Sequence, residues 1–237
     1  MGIKKKTRGW EGERAGTASQ SNAIKMLKSG LPYSLDVYRE LMASYLAVYG
    51  AVAASGLILA IALVFAVWRR RFPWRQRRWL VAGSLAGMWL WLAAVHQGRL
   101  MAEVNFMALP YAAGLALQAG LLLFWAAAGK GRDPAPGREG LQIALFAIVL
   151  YPLISYAAGT PWQALDIPGT GPNATALFTA GMLLSLNAPL WLYLLPLCWG
   201  AIAGVSAYLL GFPADYLVPA GIVIAAALAV RARRRPE

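Results

Sequence analysis

The chain is poor in the residues that build soluble surfaces and catalytic clusters. Only 14% of its 237 residues are charged, against roughly 25% for a soluble domain. The shortage is uneven: Leu41 to Trp68, Val104 to Gly129, Gly140 to Leu165 and Ile167 to Ala214 contain no ionisable side chain other than tyrosine and one cysteine. There is one cysteine, Cys198, and one histidine, His96. An internal disulfide is therefore excluded, and a thiolate metal cluster with it. No phosphate-binding glycine loop, nucleophilic-serine motif or HExxH-type pattern occurs. The expectation is no metal and no cofactor: His96 has only Glu103, Asp166 and Asp215 as acids in neighbouring loops, and no second histidine to share a haem.

What is present is apolar length. The composition is 59% hydrophobic, and the uncharged stretches match the roughly 20 apolar residues needed to cross a hydrocarbon core. A soluble core helix has no reason to be apolar on every face for so long. The reading is an all-α polytopic transmembrane bundle of about seven spans: Leu41–Trp68, Trp79–His96, Phe106–Ala128, Leu141–Ala157, Asn173–Leu186, Leu190–Leu210 and Tyr216–Val230. Residues 1–30 read as a disordered basic tail, residues 31–237 as one transmembrane domain, and Met26 as an alternative start. The basic opening is followed by the polar stretch Gly9 to Asn22, so no cleavable signal peptide is expected. Ser34 is placed to cap the first helix.

The net charge of +12 does not point to nucleic acid, because the arginines abut hydrophobic spans. Arg69, Arg70, Arg71, Arg75, Arg77 and Arg78, and the terminal arginines, read as cytoplasmic retention signals and contacts for anionic lipid headgroups. Both groups prefer one side, so an even number of crossings must separate them. The short fifth span, about 21 Å as a helix, must therefore cross. The N-terminus is then outside and the C-terminus inside, in a cell membrane. Thirteen Lys and Arg lie inside against nine outside, or against three if the chain starts at Met26.

Gly83-x-x-x-Gly87 and Gly200-x-x-x-Gly204 are small-residue motifs suited to close helix packing, within the chain or in a homo-oligomer. The polar stripe His96, Arg99, Glu103 and Asn105 shares a face if the second helix continues past His96, with Arg99 and Glu103 spaced as a weak ion pair. The loop from Gly159 to Thr175 contains no Lys or Arg. Asn173 or Thr175 is placed to cap the fifth helix, and Trp162 to lie at headgroup level. Because neighbouring antiparallel spans pack side by side, His96, Arg99, Glu103, Asn105, Trp162 and Asp166 are expected to meet at one end as the substrate-binding residues, if there is a site. Arg99 is then the nearest partner for Asp166. The rival expectation is that these groups only tie the loops down.

Leu31-Pro32-Tyr33-Ser34, His96 nine residues ahead of Asn105, Tyr151-Pro152-Leu153, Gly159-x-Pro-Trp162 and Pro172-Asn-Ala-Thr175-Ala together resemble the bacterial membrane proteins grouped as domain of unknown function 6064. The resemblance runs from Leu31 to about Arg235. Departures fall at Leu100, Phe106 and Asp166-Ile167-Pro168, and the resemblance implies no activity. Three functions remain open. A permease-like, solute-handling protein leads, though no inverted repeat is visible. A structural or assembly subunit of a membrane complex follows, and a membrane-embedded enzyme is weakest.

Overall fold

The computed structural model describes residues 33–128 and 137–234. The tail at 1–30, the start at Met26, Lys130, Arg132 and Arg235 lie outside the described residues. The described chain is all helix and connection, with seven helices and no strand. Six are long and apolar enough to cross a membrane: α1 (Leu35–Trp68), α2 (Trp74–Glu103), α3 (Ala108–Ala128), α4 (Arg138–Ala157), α6 (Leu190–Leu210) and α7 (Pro213–Arg234). Between α4 and α6 lies the short α5 (Pro172–Ser185). The multi-pass transmembrane reading of the sequence holds.

Local chemistry sets the helix ends and irregularities. Ser34 caps α1 as expected, its Oγ accepting the Val37 N–H at 3.3 Å. Tyr49, ahead of Gly50, leaves helical geometry (φ −110°, ψ 21°) and kinks α1 into two halves. Pro152 in α4 has no N–H and crowds the carbonyl four residues back, and the turn before it widens to π geometry over Phe146–Leu150. A second π stretch, Leu92–Leu100, carries α2 past His96. Gly98 lies within it, where a Cβ would come 3.0 Å from the Ala93 carbonyl oxygen. Outward faces carry Val48, Ile58, Phe65, Leu117, Phe124 and Val205, all exposed, as lipid-facing helices require.

The bundle has two unlike ends. At one end, Arg78 Nη2 donates to the Ala126 carbonyl at 2.9 Å and Arg233 Nη2 to the Ala188 carbonyl at 2.7 Å. The Gly137 N–H donates to the Ser185 carbonyl there at 3.1 Å. These bonds gather the start of α2, the ends of α3, α5 and α7, and the start of α4. They also satisfy carbonyls that helix C-termini leave open. Both arginine groups thus share an end, as the parity argument required. Arg69, Arg70, Arg71 and Arg75 are exposed, but Arg77 and Arg78 are buried, against the expectation that all six face headgroups. The reason is register: Arg77 and Arg78 follow Trp74 on the inward face of α2, and their guanidinium groups stack on its ring at 5.6 and 5.9 Å.

The fifth element is built differently from a plain span. Every residue of α5 is buried, and its 14 residues cover only about 21 Å. The other part of the path is a tight turn, in which the Thr170 and Gly171 N–H groups donate to the Ile167 carbonyl at 3.1 and 3.0 Å. Met88 and Trp199 stand at the midpoints of α2 and α6. A Cβ on Gly169 would lie 3.5 Å from the Met88 side chain, while Trp199 Nε1 donates to Asn173 Oδ1 at 2.9 Å. The segment Ile167–Gly171 therefore descends to about half height, and α5 runs from there to the arginine end. Gly56 lets this segment in: a Cβ there would lie 3.0 Å from the Pro168 carbonyl oxygen.

Small residues bring helices together at other places than the first motif. Gly83 and Gly87 have nothing within 4 Å of a Cβ position, because α2 turns Val81, Ala82, Leu85, Ala86 and Trp89 inward instead. Gly200 and Gly204 do pack, each 3.3 Å from Pro219 of α7. The closest approach is between α4 and α5. A Cβ on Gly140 would stand 2.6 Å from the Gly181 carbonyl oxygen, and one on Gly181 would stand 2.6 Å from the Ala144 nitrogen. Backbone on both sides cannot yield as a side chain can. Gly140→Ala and Gly181→Ala should each cost about 1–3 kcal/mol, the scale of overpacking, measured by denaturant unfolding in detergent. Gly83→Ala should cost less than about 0.5 kcal/mol.

Candidate functional site

The candidate site begins with the backbone of the Ile167–Gly171 turn. Unpaired N–H and C=O groups at membrane depth cost several kcal/mol each, so such backbone survives only when protein groups satisfy it or when it lines a cavity. Here two side chains satisfy it. The Asp166 carboxylate accepts the N–H groups of Asn173 and Ala174, both at 3.1 Å, and so caps α5. Thr175 Oγ1 accepts the Gly169 N–H at 2.8 Å and donates to the Gly171 carbonyl at 2.6 Å. Gly169 has φ +92°, a left-handed conformation that favours glycine. The Asp166 carboxylate also occupies the space that a Cβ on Gly171 would need. The cap thus comes from Asp166, seven residues upstream, and not from Asn173 or Thr175, the expected caps. Asn173 is bound instead to Trp199.

Above this knot lies a cavity of about 200 Å³, reaching from Tyr33 and Asn105 at the bundle end down to Asn173 and Trp199. A single water needs only about 10–15 Å³ on this measure, so the space admits a small solute. Four residues that line it present buried polar atoms with no hydrogen-bond partner: Arg39 Nε, both nitrogens of His96, Gln97 Oε1 and Ser155 Oγ. His96 is 1% exposed, held edge-on to the Tyr45 ring at 5.9 Å, and Tyr45 OH accepts from Trp91 Nε1 at 2.6 Å. Asp215 lines the same cavity, with Oδ1 accepting from the Tyr151 hydroxyl at 2.7 Å. Arg39 lies with its guanidinium 5.4 Å from the Phe212 ring centroid. Burial, with Tyr111 nearby, holds the Tyr33 hydroxyl above its usual pKa, so it stays neutral.

Of the six expected site residues, the structure brings His96, Asn105 and Asp166 to this cavity. Arg99 and Glu103 are exposed, and Trp162 is 69% exposed. The wider turns of Leu92–Leu100 break the 3.6-residue periodicity on which the shared face depended. His96 and Gln97 turn inward and Arg99 outward. Asp166 consequently has backbone N–H partners, not Arg99. Asn105 Oδ1 accepts the Met107 N–H at 2.9 Å and shapes the α2–α3 turn. Sequence reasoning missed Arg39, Tyr151, Ser155, Trp199 and Asp215. A signal existed for several of them: Leu35, Tyr38, Arg39, Met42 and Tyr45 share one helical face, as do Tyr151 and Ser155, and Trp199, Ala203 and Ser206.

Among the described residues, no three of His, Cys, Asp and Glu gather as a metal group. The arrangement is that of a polytopic helical membrane protein with a polar cavity beside a short, fully buried helix. Over residues 36–237 the chain matches the model of the family of unknown function DUF6064, and it belongs to that family. No curated protein and no solved structure matches it.

Removing the cap tests the local account. Asp166→Ala leaves two buried N–H groups without partners, each worth about 1–3 kcal/mol. It should lower stability in detergent by at least about 2 kcal/mol. Trp162→Ala, at an exposed position, should stay within about 0.5 kcal/mol.

Proposed function

We propose that the chain is a permease-like, solute-handling protein of the cell membrane whose site is the cavity above α5. One observation carries this reading. The unpartnered buried atoms of Arg39, His96, Gln97 and Ser155 converge on a single space, where a structural subunit would gain by burying apolar side chains instead. Support comes from the start of α5 at about half height, since secondary transporters build solute sites at mid-bilayer from discontinuous helices whose half-helix ends face the ligand. The kink at Tyr49 adds a means of access. The half of α1 before it carries Leu35, Tyr38 and Arg39, which cover the cavity. In this reading the cavity end is outside, with the N-terminus, and exposed Arg69, Arg70, Arg71 and Arg75 meet anionic headgroups inside.

A cavity-filling substitution separates function from scaffolding. Ala203 of α6 is 3% exposed and lines the cavity. Ala203→Phe should leave expression and melting temperature near those of the wild type while abolishing solute-dependent growth differences between cells with and without the protein. A solute response that survives Ala203→Phe contradicts the reading.

The uncovered faces of Gly83 and Gly87 favour a second reading that is compatible with the first, a homo-oligomer joined through α2. Gly83→Leu with Gly87→Leu should then shift the cross-linked species in membranes to monomer. An unchanged distribution rules that contact out.

A further inference from the structure

We infer that the cavity takes a small zwitterion, an amino-carboxylate whose carboxylate meets Arg39 and whose ammonium group meets Asp215; this rests on the solute-handling reading above. Two side chains of opposite charge face one space. Arg39 and Asp215 both line the cavity, yet the guanidinium lies against the Phe212 ring and its Nε is buried with no hydrogen-bond partner. Asp215 accepts the Tyr151 hydroxyl through Oδ1, and the ligand's ammonium group is assigned to its other oxygen. Asp166, the other carboxyl, is taken up by the two N–H groups of α5 and is less free to bind. Opposite charges walled by a low-dielectric protein interior attract strongly when brought together and are costly when left apart. A ligand with one charge of each sign satisfies both, whereas a simple anion or cation satisfies one and leaves the other bare.

The neutral lining agrees with this assignment. As a neutral imidazole His96 would offer one donor and one acceptor, while Gln97 offers an acceptor oxygen and Ser155 either. Tyr111 and Trp199, 5.8 Å apart edge to face, give the lower cavity an aromatic wall suited to a cation. The size of the cavity, about 200 Å³, is below the roughly 300–1,000 Å³ of drug-sized pockets. It therefore selects a short amino-carboxylate.

The test uses the purified full chain in lipid nanodiscs and three size-matched probes: L-alanine, propionate and ethylamine. Alanine should bind at least ten-fold more tightly than either of the others by calorimetry. Arg39→Gln should weaken alanine at least ten-fold and leave ethylamine unchanged. Asp215→Asn should do the reverse, weakening alanine and ethylamine while sparing propionate. Arg39→Lys, which keeps the charge, should retain part of the alanine affinity and serves if the glutamine variant fails to insert. Propionate or ethylamine binding as tightly as alanine overturns the zwitterion and leaves the cavity reading standing. Binding of none of the three overturns the zwitterion, and the cavity reading then falls only if Ala203→Phe also leaves the cellular solute response intact.

Discussion

The Asp166–Thr175 knot is the contact on which the described bundle depends. It lets non-helical backbone run at membrane depth by giving that backbone protein partners. Without the two N–H bonds to Asp166 and the pair of bonds through Thr175 Oγ1, the path from Pro168 to Ala174 would present bare donors to an apolar surround. With them, a buried 14-residue helix can start at about half the height of the bundle and run to the arginine end. The rest of the arrangement follows. Glycines at 56, 140 and 181 let backbones close around the element.

The two ends of the molecule use polar groups in different ways. At the arginine end, Arg78 and Arg233 donate to open carbonyls and stiffen the ends of α3 and α5. Arginine heads placed there also lie near the negative ends of helix dipoles. At the cavity end, polar side chains are buried without such partners, and α1 above them is interrupted at Tyr49. The proposed one-sided solute site draws on this difference: at the cavity end the unpartnered atoms of Arg39, His96, Gln97 and Ser155 face one space.

Much of the fold was legible in the sequence because hydrophobic length is a strong signal. The Ser34 cap and the even number of crossings between the arginine groups were both readable from single residues or counts. The fifth element was not. Its helical part read as a short span, and nothing in Ile167 to Gly171 shows from composition alone that the segment is buried. The lining of the candidate cavity was half legible. His96, Asn105 and Asp166 were found because they are rare polar residues in apolar surroundings. Arg99, Glu103 and Trp162 were grouped with them by a 3.6-residue periodicity that the π turns of α2 do not follow. Arg39 was hidden in a lead-in taken to precede the first span, and Asp215 in a turn between two apolar runs.

The central claim is that water reaches the middle of the bundle on the cavity side of α6 and not on its outer side. Ala203 and Val205 lie two residues apart on that helix; the first lines the cavity and is 3% exposed, the second is 59% exposed on the outer face. With Cys198 replaced by serine, single cysteines at these positions should be probed in membranes with a small charged methanethiosulfonate. The account predicts that position 203 reacts and position 205, facing lipid, does not. Reaction at 205 with protection at 203 would contradict it.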